Sequence, residues 1–158
     1  MSEHGVMVVS AYETSAERFF ETLRERGVDL VLDVRLRNTN QLCGFTKRDD
    51  LAYLVPALTG AEYVHDVQFA PSEELLGRYV HGKIGWDEYA RGYRQLMDER
   101  GSVEAFQAKY GSYRMVALLG TGTRKRRSHA EALERMLDME YEPVPYSMRQ
   151  GEDSRWHT

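Results

Sequence analysis

Apolar and polar residues alternate along the chain in blocks that predict strands and helices in turn. Four short apolar runs predict strands at 6–12, 28–34, 61–69 and 113–119, and the second of them is rich in β-branched residues. Apolar residues at helical spacing predict helices at 15–26, after Thr46, and at 71–80, 85–100, 102–110 and 128–137. This regular succession predicts a three-layer α/β domain with a mostly parallel central sheet, Rossmann-like in its organisation.

Several residues predict where individual helices begin and end. Thr14 lies three residues before Glu17, which is the spacing of a reciprocal cap, and Gly27 predicts the end of that helix. Thr46 is predicted to cap the next helix, which Pro56 should bend or end early. The apolar face of this second helix is expected to consist of Leu51, Leu54, Val55 and Leu58.

The later helices and the C-terminal residues complete this outline. Helix 85–100 carries a stripe of apolar and aromatic side chains that we expect to face the core rather than a ligand. Its members are Trp86, Tyr89, Tyr93, Leu96 and Met97. The segment YEPVPY predicts an edge strand at 141–146, because prolines are tolerated there. We therefore expect one domain over residues 1–146 and a loosely held polar tail over 147–158.

Composition narrows the classes of function. The 21 basic and 25 acidic residues give a net charge of −4, so any basic function must be local. Cys43 is the only cysteine, which excludes an internal disulfide, a cysteine-rich zinc site and a two-thiol redox pair. No apolar stretch approaches the roughly 18 residues that span a bilayer. We expect a soluble, cytoplasmic protein with no membrane partner, no cofactor and no metal site.

Ligands of parallel α/β sheets bind beyond the carboxyl ends of the strands, which directs attention to three loops. These loops are predicted at 33–45, 65–71 and 120–128. In the first loop, Asp33 and Arg35 flank Val34, so strand alternation sends both side chains to the same side. They form either part of a ligand site or a structural ion pair that anchors the loop.

Other polar residues of the first two loops are candidates for ligand contact. Asn38 and Gln41 carry amide groups that both donate and accept hydrogen bonds, which suits a base edge, a sugar or a carboxylate. His65 ends the third predicted strand, a position from which an imidazole can act as acid, base or ligand. The alternative for each is an ordinary polar loop or a histidine satisfied by hydrogen bonding.

The segment LLGTGTRKRRSHAEAL places two glycines and a basic run before a helix. Gly120 and Gly122 complete neither a Walker loop nor a dinucleotide fingerprint, because Lys125 stands where a third glycine should be. Ser128 and Glu131 have the spacing of a capping box, so a helix N-terminus lies beside the basic run and attracts an anion. The alternative, a solvated charged loop, fits the sequence equally well. The ligand-binding residues predicted here are Gly120, Thr121, Gly122, Arg124, Lys125, Arg127 and Ser128.

Three stretches together resemble a known family, the domain of unknown function 488 family. They are LDVRLRNTNQLCGFTKRDDLAYL, EYVHDVQFAPSEELLGRYVHGKIGWDEY, and VALLG leading to SHAEAL. Relatives in that family carry Cys-Ser-Glu after the fourth strand and Cys-His-Arg at the next helix start. This chain has Gly-Thr-Gly at 120–122 and Ser-His-Ala at 128–130, so it resembles a divergent member. The resemblance implies the fold and the place of the site, but no reaction.

Three hypotheses of different classes follow. The first is a binding protein, a pseudoenzyme, that holds a nucleotide or nucleic-acid phosphate at the sheet edge. The second is an active enzyme in which Asp33 with His65 or His129 transfers protons on a nucleotide-like or glycosidic substrate. The third is a self-associating module, such as a homodimer, that uses Trp86 and other large side chains of the middle helices. We favour the first, because a basic cluster is visible and a complete catalytic set is not.

Overall fold

The computed structural model of the chain describes residues 5–141, apart from the side chains of residues 41, 42 and 139–141. Its strands are β1 (Gly5–Ser10), β2 (Leu30–Asp33), β3 (Glu62–His65) and β4 (Met115–Gly120). Its α-helices are α1 (Ala16–Glu25), α2 (Arg48–Thr59), α3 (Glu73–Val80), α4 (Trp86–Arg100), α5 (Ser102–Tyr110) and α6 (His129–Tyr141). The predicted edge strand, beyond its first residue, and the predicted tail lie outside the described residues.

The four strands form one all-parallel sheet in the order β1-β4-β2-β3. Asp33 is in register with His65 on one side and with Leu119 on the other, and Ser10 is in register with Gly120. The four strands therefore end at one level, which we call the carboxyl edge. The loops that follow all four strands leave the sheet from this edge, as the parallel arrangement requires.

Helices cover both faces of the sheet, which confirms the predicted three-layer α/β fold. Leu23 of α1 and Leu51 of α2 pack with Val31 on one face. Leu32 packs on the other face with apolar residues of α4, α5 and α6, Leu133 among them. The loop after β4 therefore leads to the opposite face from the loops after its neighbours β1 and β2, which opens a crevice at the carboxyl edge. None of the helices in the described part of the chain is long and apolar enough to cross a membrane.

Most of the aromatic stripe of α4 faces the core, as predicted. Tyr93 and Met97 are buried in the core cluster on this face of the sheet, and Trp86 and Leu96 are partly buried against it. Tyr89 is also buried, but it lies outside this cluster and stacks on Tyr79. The three buried side chains are therefore not available as an exposed surface for self-association.

Two helices begin differently from the prediction. Ser15, rather than Thr14, caps α1, and its hydroxyl accepts a hydrogen bond from an amide of the first turn. Thr46 does not cap α2, because its hydroxyl lies within hydrogen-bonding distance of the carbonyl oxygens of Cys43 and Ala11, at 2.7 and 3.2 Å. Thr46 thus ties the loop after β2 to the loop after β1.

Pro56 was predicted to bend α2 or to end it early, and the early end is wrong. The helix continues to Thr59 and stops at Gly60, which has a left-handed φ of 77°. Proline removes the helical bond to the Ala52 carbonyl, four residues earlier, but not the bonds of the final turn. That turn is held by Thr59 Oγ1, which donates to the Val55 carbonyl at 2.7 Å, and by Gly60 N, which donates to the Pro56 carbonyl at 3.0 Å. Leu58 lies on the outer side of this turn and is 47% exposed rather than part of the apolar face.

The third strand is shorter than predicted. β3 ends at His65, and a 3-10 turn at Val67–Phe69 follows. Asp66 stops the strand because its carboxylate accepts hydrogen bonds from Gln68 N at 3.1 Å and from the Tyr110 hydroxyl at 2.7 Å.

Candidate functional site

A cavity of about 240 Å³ opens at the carboxyl edge, where the loops after β1, β2 and β4 meet α3 and α4. The cavity lies beside the end of β4. The loop after β4 leads to the opposite face of the sheet from the loops after β1 and β2, and parallel sheets bind ligands at such a point. We call it the edge cavity. Its lining consists of Tyr12, Arg35, Leu36, Arg37, Leu76, Tyr79, Val80, Tyr89, Thr121, Thr123, Arg126, Arg127, Ser128 and His129.

A buried ion pair with Asp33 holds Arg35 at the edge cavity. Arg35 Nε and Nη2 donate to the two carboxylate oxygens of Asp33 at 2.8 and 2.7 Å, and Nη2 also donates to the Thr46 carbonyl at 2.7 Å. Asp33 is 0% exposed and Arg35 only 1%. This two-pronged, charge-assisted contact fixes the plane of the guanidinium group. The contacts of Asp33 are those of a structural ion pair, and Arg35 also lines the edge cavity, so the pair anchors the loop at the candidate site.

Further donors surround the Asp33 carboxylate. The Tyr63 hydroxyl and Asn38 Nδ2 both donate to Oδ2, at 2.5 and 3.1 Å. Burial by itself would raise the pKa of Asp33, but the hydrogen bonds and charge of Arg35, with the bonds from Tyr63 and Asn38, outweigh it and hold the pKa below its usual value. Asp33 is therefore ionised at neutral pH, and neither Asp33 nor Asn38 lines the edge cavity.

Both candidate histidines bind backbone carbonyls just beyond β2. His65 Nε2 lies 2.9 Å from the Arg35 carbonyl, and His129 Nε2 lies 2.7 Å from the Val34 carbonyl. Burial lowers the pKa of His129 to about 4, although the bond to Val34 and the charge of Asp33 act in the opposite direction. His129 is thus neutral at pH 7. Of the three residues considered for proton transfer, only His129 lines the edge cavity.

Two serines hold the base of the loop between β4 and α6. Ser10 Oγ donates to the Gly122 carbonyl at 2.5 Å. Ser128 Oγ accepts from Ala130 N at 3.1 Å, which caps α6, and from Thr121 N at 3.2 Å. Gly120 and Gly122, predicted as ligand residues, contribute to this base and are not among the lining residues, whereas Thr121 and Ser128 are.

Arg127 is oriented by contacts on several sides. Its Nε and Nη2 lie 3.1 and 3.0 Å from Glu131 Oε1, and its guanidinium carbon lies 4.4 Å from the centre of the Trp86 ring. Its backbone carbonyl accepts a hydrogen bond from the Tyr79 hydroxyl at 2.9 Å. The predicted reciprocal bond of Glu131 to the Ser128 cap is wrong, because the Glu131 carboxylate pairs with Arg127 instead.

The basic run after β4 divides into two halves. Arg126 and Arg127 line the edge cavity. Arg124 is not part of the lining; its Nε lies 3.7 Å from Glu13 Oε2 and its side chain is 91% exposed. Lys125 is also exposed and outside the lining. Only half of the predicted basic cluster therefore reaches the edge cavity.

The edge cavity is positively charged along its described lining. Four of the lining residues are arginines, namely Arg35, Arg37, Arg126 and Arg127, and none of the described lining residues is acidic. Arg35, Arg37 and Arg127 each pair with a carboxylate, and these carboxylates lie outside the lining. Within residues 5–141, no group of three or more His, Cys, Asp or Glu side chains is placed to hold a metal ion.

Sequence reasoning missed more than half of the lining. Tyr12 and Arg37 follow β1 and β2, so the rule that selects strand ends applies to them as well. Tyr79 and Tyr89 come from α3 and α4 and stack with ring centres 4.1 Å apart, and no local pattern connects them with the sheet edge. The side chain of Gln41, a predicted ligand residue, lies outside the described part.

A larger groove of about 610 Å³ lies between α4 and α6 and shares Arg127 with the edge cavity. Its charged lining residues have both signs: Arg91, Arg94, Arg127 and Arg135 against Asp87, Asp98 and Glu131. Because these charges nearly balance, the groove is a weaker anion site than the edge cavity.

Gly120 permits the close approach of β4 and α6 beneath the loop. A Cβ atom at this position would lie 2.4 Å from Ser128 Oγ and 2.8 Å from Ala130 Cβ. Ser128 can rotate at the loss of its cap, but Ala130 is fixed in the helix. We expect Gly120→Ala to lower the free energy of unfolding by about 1–2 kcal/mol, in the lower part of the range for overpacking. Urea denaturation measures this loss.

Gly122→Ala is the matched control for Gly120→Ala. A Cβ atom at Gly122 would come no closer than 3.5 Å to Ser128, so the same change two residues away meets ordinary packing distances. Equal losses of stability in the two variants would contradict the steric explanation.

Comparison with known proteins gives a family match. The model of the family described as "Domain of unknown function DUF488" matches residues 15–137. The matched range includes the loops after β2 and β4, which supply most of the edge cavity. No curated protein and no solved structure matches the chain.

Proposed function

The chain belongs to the family described as domain of unknown function DUF488, and on that premise we propose that it is a binding protein, a pseudoenzyme, for an anionic ligand. The ligand is a nucleotide or a nucleic-acid phosphate, held at the carboxyl edge of the sheet. The observation that carries the proposal is the edge cavity, whose described lining includes four arginines and no acidic residue.

The chemistry of the lining suits a phosphate group. Guanidinium groups donate to phosphate oxygens, and contacts with carboxylates already orient Arg35 and Arg127. These contacts occupy the Nε and Nη2 atoms of both residues, so each offers its remaining N–H groups to a ligand. Preorganised groups lose less conformational entropy when a ligand binds. The positive end of the α6 dipole, at Ser128, adds to the attraction for an anion.

The remaining lining suits an organic group attached to the phosphate. Tyr12 and Tyr79 offer aromatic surface, and Leu76 and Val80 offer aliphatic surface beside the arginines. The cavity volume of 240 Å³ equals that of about eight water molecules, at roughly 30 Å³ each. This space accommodates a phosphate and an adjoining sugar-sized group, with any larger part of the ligand outside.

The placement of the titratable residues supports binding rather than proton transfer. Both oxygens of Asp33 accept from Arg35, and Oδ2 accepts further bonds from Tyr63 and Asn38. A carboxylate so stabilised in its charged form is a weak base. His129 is also a weak base, because burial lowers its pKa to about 4.

The double variant Arg126→Ala/Arg127→Ala tests the proposal. We expect it to raise the Kd for phosphate ligands about thirtyfold, since two partly exposed guanidinium groups each contribute about 1 kcal/mol. Isothermal titration with pyrophosphate, adenosine 5′-monophosphate and a short single-stranded oligonucleotide measures the change. The same titrations distinguish a free nucleotide from a polymer.

Arg124→Ala/Lys125→Ala is the matched control, because it removes the same charge from the same loop but outside the edge cavity. We expect this pair to change the Kd less than threefold, through long-range electrostatics alone. Equal losses in both double variants would refute a site in the edge cavity. If the wild-type protein binds none of the three probes at millimolar concentration, the proposed function is wrong.

A further inference from the structure

Glu13, in the loop after β1, has a backbone conformation that its side chain does not favour. Its φ is 58°, in the left-handed region, and within residues 5–141 it is the only residue other than glycine with a positive φ. A Cβ atom crowds the main chain in this region, so glycine is the usual residue there. Such residues persist where surrounding contacts hold them, and they cluster at functional sites. The contacts of the Glu13 side chain therefore need examination.

The Glu13 carboxylate holds the loop after β4. Oε1 accepts a hydrogen bond from Arg124 N at 2.9 Å, and Oε2 lies 3.7 Å from Arg124 Nε. The bond from the main-chain N–H is charge-assisted, whereas the ion pair is long and the Arg124 side chain is exposed, so the ion pair contributes little. The main-chain bond is thus the stronger contact, and it joins two of the loops that surround the edge cavity.

The bond from Arg124 N ties a compact turn at residues 123–126, which we call the basic turn, to the loop after β1. Thr123 N donates to the Arg126 carbonyl at 2.8 Å, and Thr123 Oγ1 accepts from Lys125 N and Arg126 N at 3.2 and 3.1 Å. These bonds make the turn one unit, but they all lie within it. In the part of the chain whose contacts are described, Glu13 is the only partner outside the basic turn for its main-chain atoms.

The basic turn supplies a guanidinium group to the edge cavity. Thr123 and Arg126 both line the cavity, and Arg126 Nη2 lies 3.5 Å from the Val80 carbonyl oxygen. Among the described residues, Arg126 is the lining arginine that pairs with no carboxylate, so its N–H groups are the most available to an anion. Because no ion pair fixes its side chain, the place of Arg126 depends on the turn that carries it.

We propose that Glu13 is a positioning residue of the anion site, which holds the basic turn so that Arg126 faces the edge cavity. This inference rests on the proposed function and adds a residue outside the lining. The charge of Glu13 has the wrong sign for an anion site, so by electrostatics alone it would weaken binding. Its positioning role strengthens binding. These two effects have opposite signs, and a substitution can therefore separate them.

Two substitutions that both retain a Cβ atom separate position from charge. Glu13→Gln keeps an acceptor oxygen for Arg124 N and removes the charge, whereas Glu13→Ala removes both. We expect Glu13→Ala to raise the Kd for pyrophosphate about threefold, in isothermal titration at low ionic strength. Glu13→Gln should leave the Kd unchanged or lower it. If charge alone mattered, both variants would bind pyrophosphate more tightly than the wild type.

Glu13→Gly supplies a readout that a merely structural role would not move. Glycine removes the carboxylate and also relieves the left-handed strain, so its urea midpoint should lie above that of Glu13→Ala. We nevertheless expect the Kd of Glu13→Gly to rise as it does in Glu13→Ala, because the bond to Arg124 N is lost in both. The Arg126 Nε–H resonance should shift on addition of pyrophosphate in the wild type and Glu13→Gln, and less in the other two variants.

The possible results separate this inference from the proposed function. Binding by Glu13→Ala that equals or exceeds that of the wild type overturns the inference and leaves the anion site standing. An equal loss in Glu13→Gln also overturns it, because that variant keeps the acceptor. Recovery of binding in Glu13→Gly, together with its stability, would show that the loss came from strain rather than from position. If the wild type binds none of the probes of the first experiment, the anion site itself is refuted and this inference with it.

Discussion

Asp33→Asn is expected to lower the free energy of unfolding by about 3–5 kcal/mol, the usual loss when one partner of a buried ion pair is removed. The carboxylate receives Arg35 Nε and Nη2, the Tyr63 hydroxyl and Asn38 Nδ2. An asparagine offers a single acceptor oxygen and must turn its NH₂ group toward the other donors. The Arg35 charge would then be buried without compensation. Urea denaturation at pH 7 measures the loss.

Asp49→Asn serves as the control for the removal of a carboxylate. Asp49 pairs with Arg48 at 3.4 Å, but its side chain is 89% exposed, so the change should stay below about 1 kcal/mol. A double variant, Asp33→Asn/Arg35→Met, should lose less stability than the sum of its single variants, because the buried charge is then absent. Additive losses, or a loss from Asp33→Asn as small as that from Asp49→Asn, would contradict the account.

The contribution of Asp33 should also depend on pH with a definite sign. Its pKa is lower in the folded protein than the ordinary value of 3.8, so unfolding takes up a proton in acid. The stability that Asp33 provides is therefore fully present above pH 3.8 and decreases as the pH falls toward the folded pKa. The difference in unfolding free energy between wild type and Asp33→Asn should be constant from pH 5 to 7 and shrink below pH 3.8.

Burial of His129 is expected to lower the free energy of unfolding as the pH falls below 6.5, a range above that in which Asp33 titrates. The pKa of His129 falls from 6.5 to about 4 on folding, so the unfolded chain binds a proton that the folded protein excludes. Above pH 6.5, His129 is neutral in both the folded and the unfolded protein and does not affect stability. As the pH falls from 6.5 toward 4, only the unfolded chain takes up the proton, and the free energy of unfolding decreases. At about 1.36 kcal/mol for each pH unit, the loss approaches roughly 3 kcal/mol.

Denaturation of wild type and His129→Gln across pH 4 to 8 isolates this effect. Glutamine does not titrate, so the stability of the variant should fall less steeply than that of the wild type between pH 6.5 and 4. All other ionisable groups are the same in the two proteins and cancel in the comparison. Parallel curves would show that His129 titrates normally and is not excluded from protonation.

These two residues support the edge cavity in different ways. Asp33 lies outside the lining and acts through Arg35, whose guanidinium plane it fixes. His129 lies in the lining and is tied to β2 through the Val34 carbonyl. Asp33→Asn should therefore lower stability and weaken binding through Arg35 together, whereas His129→Gln should change the pH dependence of stability more than the affinity for a simple phosphate.

The fold was largely predictable because its signals are local. The short apolar runs of the sequence form the four strands of the sheet. Glycines mark the ends of two helices: Gly27 follows the last turn of α1, and Gly101 caps α4. The errors arose where a polar side chain found another partner in the folded protein. Thr46 had the right character for a cap but bonds to the carbonyls of Cys43 and Ala11 in the folded loop.

The site was predictable only in part. Asp33 and Arg35 were correctly expected on one side of the strand end, and strand alternation required no further information. Their burial could not be read from the same residues, because it depends on Tyr63 and Asn38 being brought against the carboxylate. Tyr79 is a similar case, since α3 reaches the cavity only through packing on α4.

By itself the sequence determined the succession of strands and helices, the parallel sheet and the edge at which its loops meet, because side-chain periodicity and crossover rules act over short stretches of chain. Tertiary structure alone decided which charges of that edge face one another. Arg124 is drawn outward by Glu13, 111 residues away, while Arg127 is held beside Trp86 and Tyr79. Contacts between such distant residues are set by packing and charge in the folded chain, and no local pattern encodes them.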